Sequence, residues 1–308
     1  MTHALPRFLA FILALHAGAV AQASPLQVQK VTDGVYALVG DIGQRSPENL
    51  GNNATFGVIV TNDGVVLVDP GATHDGARRI HEAIKTVTDK PVRLVINSGG
   101  QDHRWLGNGY FKAQGARLVA SKAAVADQRA RVTDQLIGLN RLVGEKLVKG
   151  TEPVYAEDTF EDRRELEIGG VRLVLHHAGT AHTPGDIFVW LPQKKVVFTG
   201  DIVYVERLLA VNPESRSRSW IKAFEEMAAL KPAHVVPGHG PATTLARARA
   251  DTYDYLDALR KQVKAFMDGG GEIYDVGRID QSRFKHLKVF DELKGRNAQQ
   301  VFQEMEWE

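Results

Sequence analysis

Five places in this chain put an acid or an imidazole inside a Gly- or Pro-rich turn at the end of a strand-like run. Asp69 closes the run 65–69 and is followed by Pro70-Gly71. Asp102-His103 comes shortly after a run ending at Ile96. His182 stands in Ala181-His182-Thr183-Pro184-Gly185-Asp186, Asp201 closes the run 196–200, and His239 sits in Pro237-Gly238-His239-Gly240. A rigid sheet holds such turns in place while the turn frees its side chains to converge. Singly, each residue has an ordinary explanation: Asp before Pro-Gly is a common turn residue, a loop His is usually solvated, and Asp102-His103 would suit a helix start. The joint order Asp, Asp-His, His, Asp, His is much harder to obtain by chance. Carboxylates and imidazoles brought together can hold a divalent cation or move protons. The chain has no Cys, so any metal ligand must be His, Asp or Glu.

The elements that must position these turns fall into two similar blocks. Runs 34–39, 54–60 and 65–69 read as strands, with Asp63-Gly64 as a hairpin signal. A helix over 75–87 follows, with Ala77, Ile80 and Ile84 on one face, and then a buried strand over 92–96. Residues 121–147 are polar and helical in period, with Ser121 as N-cap. A second block of strand-like runs covers 166–168, 171–175, 187–191 and 196–199. A helix over 220–230 and a short strand over 233–236 complete it. From Thr244 the pattern is helical to the end, broken at Gly269-Gly270-Gly271. No Pro- or Ser-rich linker divides the blocks. The expectation is one α/β domain over 24–308, a four-layer αββα sandwich with a helical C-terminal extension.

Residues 1–23 read as a secretory signal peptide. Arg7 precedes a short apolar run, 8–20, and Ala21-Gln22-Ala23 gives a cleavage site after Ala23. The apolar run is short for a membrane span, so a periplasmic or secreted protein with no stable membrane insertion after cleavage is expected. Cleavage removes one basic residue and no acid, which leaves 37 acidic residues and as many Lys and Arg. Balanced charge gives no electrostatic argument for nucleic acid.

The five turns resemble the metallo-β-lactamase superfamily in order and spacing over nearly the whole mature chain. The matching residues are Leu67-Val68-Asp69-Pro70-Gly71, Asp102-His103 with Gly107-Asn108, Ala181-His182-Thr183-Pro184-Gly185, Thr199-Gly200-Asp201 and Pro237-Gly238-His239-Gly240. The family's second motif, His-x-His-x-Asp-His, is degenerate here: the segment is Ser98-Gly99-Gly100-Gln101-Asp102-His103, without either leading His. The resemblance implies a first metal site reduced to His182 and a share of Asp201. It implies a second site kept complete as Asp102, His103, Asp201 and His239, with Asp69 and Ser98 in support. Two ligands are too few for a tight zinc site, whereas three or four suffice, so one Zn²⁺ is expected. Asp102 and Asp201 would converge, and a cation would relieve their repulsion.

The function this implies is metal-assisted hydrolysis of an ester, thioester or similar acyl group in a small-molecule substrate. Asp102 would orient a group or accept a proton, and His182 would hydrogen-bond the developing oxyanion. Two alternatives stay open. One is a degenerate binding protein, in which restoring both histidines (Ser98→His with Gly100→His) would create activity. The other is a mononuclear iron enzyme oxidising sulfur, which would use the first, degraded site. Ser98 as a nucleophile lacks an orienting third group. His176 and His177 point to opposite faces of a strand, so at most one could reach the site. Glu48, Asn49, Asn52 and Asn53 could reach its mouth, with 121–147 and 207–220 as walls. Phe284, Leu287, Phe290 and Trp307 anchor a tail that either caps the domain or forms a homodimer surface.

Overall fold

A computed structural model describes residues 25–308 together with Met1; residues 2–24, which hold the expected leader's apolar run and cleavage point, lie outside the described residues. Seven strands form the first sheet in chain order: β1 (Gln27–Thr32), β2 (Val35–Val39), β3 (Thr55–Thr61), β4 (Gly64–Val68), β5 (Val92–Ile96), β6 (Arg117–Ser121) and β7 (Asp158–Phe160). Pairing is antiparallel from β1 to β4 and parallel from β4 to β7. The second sheet runs β12-β11-β10-β9-β8, from β8 (Arg163–Ile168), β9 (Val171–His176), β10 (Phe188–Leu191), β11 (Val196–Phe198) and β12 (His234–Val236).

Period-two alternation sorts the apolar residues between layers. Val66, Val68, Leu94 and Ile96 of the first sheet meet Leu173, Leu175, Val189 and Phe198 of the second in a shared interior. Val65, Leu67 and Val95 face the other way, onto Ala77, Ile80 and Ile84 of helix α1 (His74–Lys85) and Phe111 of α2 (Asn108–Lys112). On the outer face of the second sheet, Phe188, Val197 and Val235 pack with Trp220 and Phe224 of a helix at Ser217–Ala229. The expected four-layer sandwich is therefore the observed one.

The long polar helix departs from expectation. Ser121 caps α3 (Lys122–Leu142), accepting from Ala124 N at 3.0 Å. The helix then breaks at Val143–Gly144, where Gly144 takes φ +102°, before a single turn, α4 (Glu145–Val148). After α5 (Ser217–Ala229), the tail is α6 (Leu245–Ala248), a π-helical turn, α7 (Asp254–Asp268), two 3₁₀ turns, and α8 (Phe290–Met305). Phe284, Leu287 and Phe290 are buried in the second sheet's helical layer, so this part of the tail belongs to the domain. Trp307 is 90% exposed, so it is no part of the buried core that holds the rest of the tail. Among the described residues no helix is long and apolar enough to cross a membrane.

Candidate metal centre

The turns at the strand ends do converge. Asp102 and His103 lie on a 3₁₀ turn, Asp102–Arg104, beyond β5, and Asp201 lies on another, Gly200–Ile202, beyond β11. His239 follows β12. His103 Nε2 is 3.4 Å from Asp201 Oδ2, and His239 Nε2 is 3.1 Å from Asp201 Oδ1. All three side chains are buried, and their donor atoms lie within 4.8 Å of one another.

The hydrogen bonds around the rings fix which nitrogen faces inward. His239 Nδ1 is 2.7 Å from the carbonyl of Asn53, and His103 Nδ1 is 3.0 Å from Asp102 Oδ1. His239 Nδ1 donates to that carbonyl, so its Nε2 turns a lone pair toward Asp201, whereas His103 Nδ1 faces both Asp102 Oδ1 and Arg45 Nη2, the latter at 2.8 Å. Burial, opposed in part by Asp201, holds His239 neutral, well below the usual imidazole range. His103 Nε2 is buried and has no hydrogen-bond partner. Two buried ring nitrogens converging on one carboxylate at 3.1 and 3.4 Å suit a cation. Imidazoles braced through Nδ1 by a carboxylate and a backbone carbonyl are how protein metal ligands are commonly oriented.

Asp102, expected as a fourth ligand, stands outside this group. Its Oδ1 accepts from His103 N at 2.7 Å, faces His103 Nδ1, and pairs with the Arg45 guanidinium. Burial alone would raise its pKa, but Arg45 and His103 outweigh that and hold the carboxyl well below the ordinary range. It is placed to orient His103, and it is a poor proton acceptor.

The expected repulsion between carboxylates is relieved by arginines. Arg104, fully buried, reaches Asp201 with Nη2 at 2.7 Å and Nε at 3.1 Å, and Asp69 with Nη1 at 2.9 Å. Its Nη2 also donates to the Gly238 carbonyl at 2.9 Å. Despite burial, Arg104 and His103 keep Asp201 ionised, while burial leaves Asp69 raised even with Arg104 beside it. The electrostatic need that pointed to a metal is thus met largely by protein groups. What remains in favour of an ion is the donor geometry.

His182 lies apart from the three. Its Nδ1 is 2.9 Å from the Ala210 carbonyl, and its Nε2 is 3.4 Å from Asn212 Nδ2. Burial lowers its pKa to about 4, partly offset by Asp201. With Nδ1 as donor, Nε2 is an acceptor, which does not suit the expected bond to an oxyanion. Ser98 donates its hydroxyl to Asp69 Oδ2 and its N–H to Oδ1, both at 2.7 Å, so it supports Asp69 and is no nucleophile. His176 stacks on Phe188, and His177 Nδ1 is 3.0 Å from the Asp186 carbonyl. Of the loop asparagines, Asn53 reaches the centre through its carbonyl, whereas Asn52 binds Gly76 O and braces α1.

A cavity of about 220 Å³ opens beside this cluster, walled by His103, His182, His239, Tyr204, Arg45 and Arg207. The family pattern described as Metallo-beta-lactamase superfamily matches residues 51–239, more than half of the chain. The chain belongs to the metallo-beta-lactamase superfamily. A Metallo-beta-lactamase type 2 of Elizabethkingia meningoseptica is 26% identical over 151 residues, which is 49% of this chain and 52% of that protein. A linear primary-alkylsulfatase of Pseudomonas sp. is 20% identical over 224 residues, 59% of this chain and 40% of that one. The chain thus spans about half the length of the curated relatives it matches. A solved metallo-beta-lactamase from Pontibacter korlensis superposes with TM-score 0.60 at 21% identity, covering 75% of this chain and 99% of that one. The sec-alkylsulfatase Pisa1 from Pseudomonas sp. superposes with TM-score 0.70 at 17% identity, covering 90% of this chain and 50% of that one.

In this metallo-beta-lactamase-fold chain the missing histidines have left no gap. A Cβ on Gly100 would fall 1.8 Å from Asp127 Oδ2, and Ser98, at the other position, gives its hydroxyl to Asp69. Gln128 Nε2 donates to Gly99 O at 3.1 Å and Gln135 Nε2 to Gly100 O at 2.8 Å. Helix α3 therefore fills the place from inside. Arg45, Arg104 and Arg207 carried no signal in the sequence: an arginine reads as a surface residue until its distant partners are known.

Proposed function

We propose that this chain is an exported, metal-dependent hydrolase of an ester or similar acyl substrate, using one zinc ion held by His103, Asp201 and His239. The observation that carries this is the buried convergence of two Nε2 atoms and a carboxylate, with His103 Nε2 unpartnered. Three His/Asp donors with an open position suit catalytic zinc. When bound, such an ion lowers the pKa of a coordinated water and polarises the bond to be cleaved. The chain's own groups do the rest. Asp102 orients His103 through Nδ1, the Asn53 carbonyl orients His239, and Arg104 sets the plane of the Asp201 carboxylate. His182 Nε2, unprotonated and beside the cavity, can accept a hydrogen bond from a hydroxyl or water bound there and so position it. The hydrolase names among the relatives, lactamase and alkylsulfatase, agree with ester or amide cleavage as the reaction type. Arg7, the apolar run 8–20 and Ala21-Gln22-Ala23 support export, checked by N-terminal sequencing of the mature protein.

A second reading, a binding protein without catalysis, is favoured by one observation: Asp102 and Asp201 are already neutralised by Arg45 and Arg104. Zinc titration of chelator-treated protein separates the two. Saturable uptake of one equivalent, weakened about 10–100-fold or more in His239→Ala, together with turnover of a panel of esters, thioesters and sulfate esters, supports the hydrolase. Zinc uptake of less than roughly half an equivalent at micromolar metal would overturn it, since structural and catalytic sites bind far more tightly.

A further inference from the structure

Arg207 is 5% exposed, and among the described residues no carboxylate lies within 4 Å of its guanidinium nitrogens. Its Nη1 donates to the carbonyls of Ile42, at 2.8 Å, and Gly43. Its Nε has no partner at all. A buried charge without a counter-charge is costly, and proteins keep one where something else neutralises it. Every other buried arginine named above has its acid: Arg45 has Asp102, and Arg104 has Asp69 and Asp201.

The wall that Arg207 shares sharpens the point. Arg45, Arg207 and Arg296 all line the cavity beside His103 and His239, and no Asp or Glu lines it among the described residues. Arg296, at the exposed end, is bonded to the neutral Asn212 side chain, again without an acid. Arg45 Nε is buried and unpartnered as well. Burial and the neighbouring Arg45 charge lower the Arg207 pKa, and Asp201 and Asp41, neither within 4 Å of it, offset this only in part.

We propose that the Arg207 side of this cavity is an anion subsite, so that the molecule bound there carries a negatively charged oxygen group such as a sulfate, phosphate or carboxylate. Calling that molecule the substrate rests on the hydrolase reading above; the anion site itself does not. A guanidinium with free N–H groups in a desolvated wall matches planar or tetrahedral oxyanions, and charge-assisted bonds of this kind are about twice as strong as neutral ones. Clamping the Ile42 and Gly43 carbonyls ties the loop that carries Arg45 to the same residue, so one side chain both shapes the wall and charges it.

The probes are inorganic sulfate, inorganic phosphate and acetate, titrated by calorimetry into chelator-treated full-length mature protein at constant ionic strength. Constant salt removes general screening from the readout. Saturable binding of at least one of the three, at one site, is expected, and the strongest names the group. Arg207→Gln should weaken it about tenfold or more. Arg207→Lys, which keeps the charge but loses the fork, should lose less. Arg296→Gln, at the exposed rim, should weaken it by a smaller factor without altering the melting curve. If Arg207→Gln does not fold, the Lys and Arg296 variants decide by the same ordering. Absence of saturable binding to all three anions overturns the proposal, and so does binding equally tight in every variant, which would leave Arg207 a loop clamp only. Failure of zinc uptake alongside intact anion binding would remove the metal reading and leave the subsite standing.

Discussion

Around His103, Asp201 and His239, ring nitrogens face carboxylate oxygens and one of them has no partner. A few residues away, Ser98 and Gly100 are bonded at both ends of their peptide units. Ser98 N–H goes to Asp69 and its carbonyl accepts from Ile187; Gly100 N–H goes to Thr183 and its carbonyl accepts from Gln135. The first region leaves a donor atom unpartnered and could hold a metal ion, and the second is complete in itself. Losing two ligands therefore did not leave a damaged site. It left a metal-ready cluster beside a polar wall, with Arg104 anchoring the junction at Asp69 and Asp201.

Arg104→Met breaks that junction and should have the largest effect. It removes the only guanidinium bonded to Asp69 or Asp201 among the described residues and leaves buried carboxylates uncompensated. Breaking a buried pair in this way costs about 3–5 kcal/mol, measured by urea unfolding in chelator. Zinc at Asp201 would supply part of the missing charge, so the deficit should shrink when the metal is present. An equal deficit with and without zinc would mean that no ion reaches Asp201.

Asp186 tests the wall from its other side. Burial, with Asp201 nearby, raises its carboxyl from 3.8 to about 8, against the opposing bonds from Thr183. A carboxyl raised on folding contributes stability that is fully present below its unfolded pKa and is lost as pH rises through the folded value. Stability should therefore fall as pH rises between about pH 4 and pH 8. Asp186→Asn, which cannot ionise, should flatten that slope; an unchanged slope would place the titration elsewhere.

Much of this was legible in the sequence, because local pattern carries it. The apolar runs 65–69 and 92–96 marked strands of the first sheet, Asp63-Gly64 marked its hairpin, and Ser121 marked the start of α3. The turns holding His103, Asp201 and His239 stood out because polar residues followed apolar runs. What was not legible depends on partners far along the chain. Arg104 is 35 residues from Asp69 and 97 from Asp201, and Arg45 is 57 from Asp102. Without those partners in view, a metal was the natural remedy for converging acids. Ser98 and Gly100 looked like absent ligands, and only the bonds from Ser98 to Asp69 and the packing of Asp127 against Gly100 show what occupies those places instead. The end of α3 was missed because Val143 continues the helical pattern while Gly144, at positive φ, does not.

The smallest effect comes from trying to make the two regions alike. Placing histidines at 98 and 100 restores the letters of the family motif, but the Gly100 Cβ would meet Asp127 Oδ2 at 1.8 Å. Asp127 cannot withdraw freely, since Arg131 Nε holds its other oxygen at 2.7 Å from one helical turn away. At position 98 a histidine would also remove the hydroxyl that donates to Asp69. Overpacking a buried wall of this kind typically costs about 1–3 kcal/mol. The double variant Ser98→His/Gly100→His should therefore melt lower than the parent and take up no second zinc equivalent by elemental analysis. The single variant Asp127→Ala offers the control, because it clears the space that the new ring needs. If adding Asp127→Ala to the double variant raises uptake to two equivalents, α3 is what keeps the first site closed. If the double variant alone binds two, the wall yields more easily than its hydrogen bonds imply.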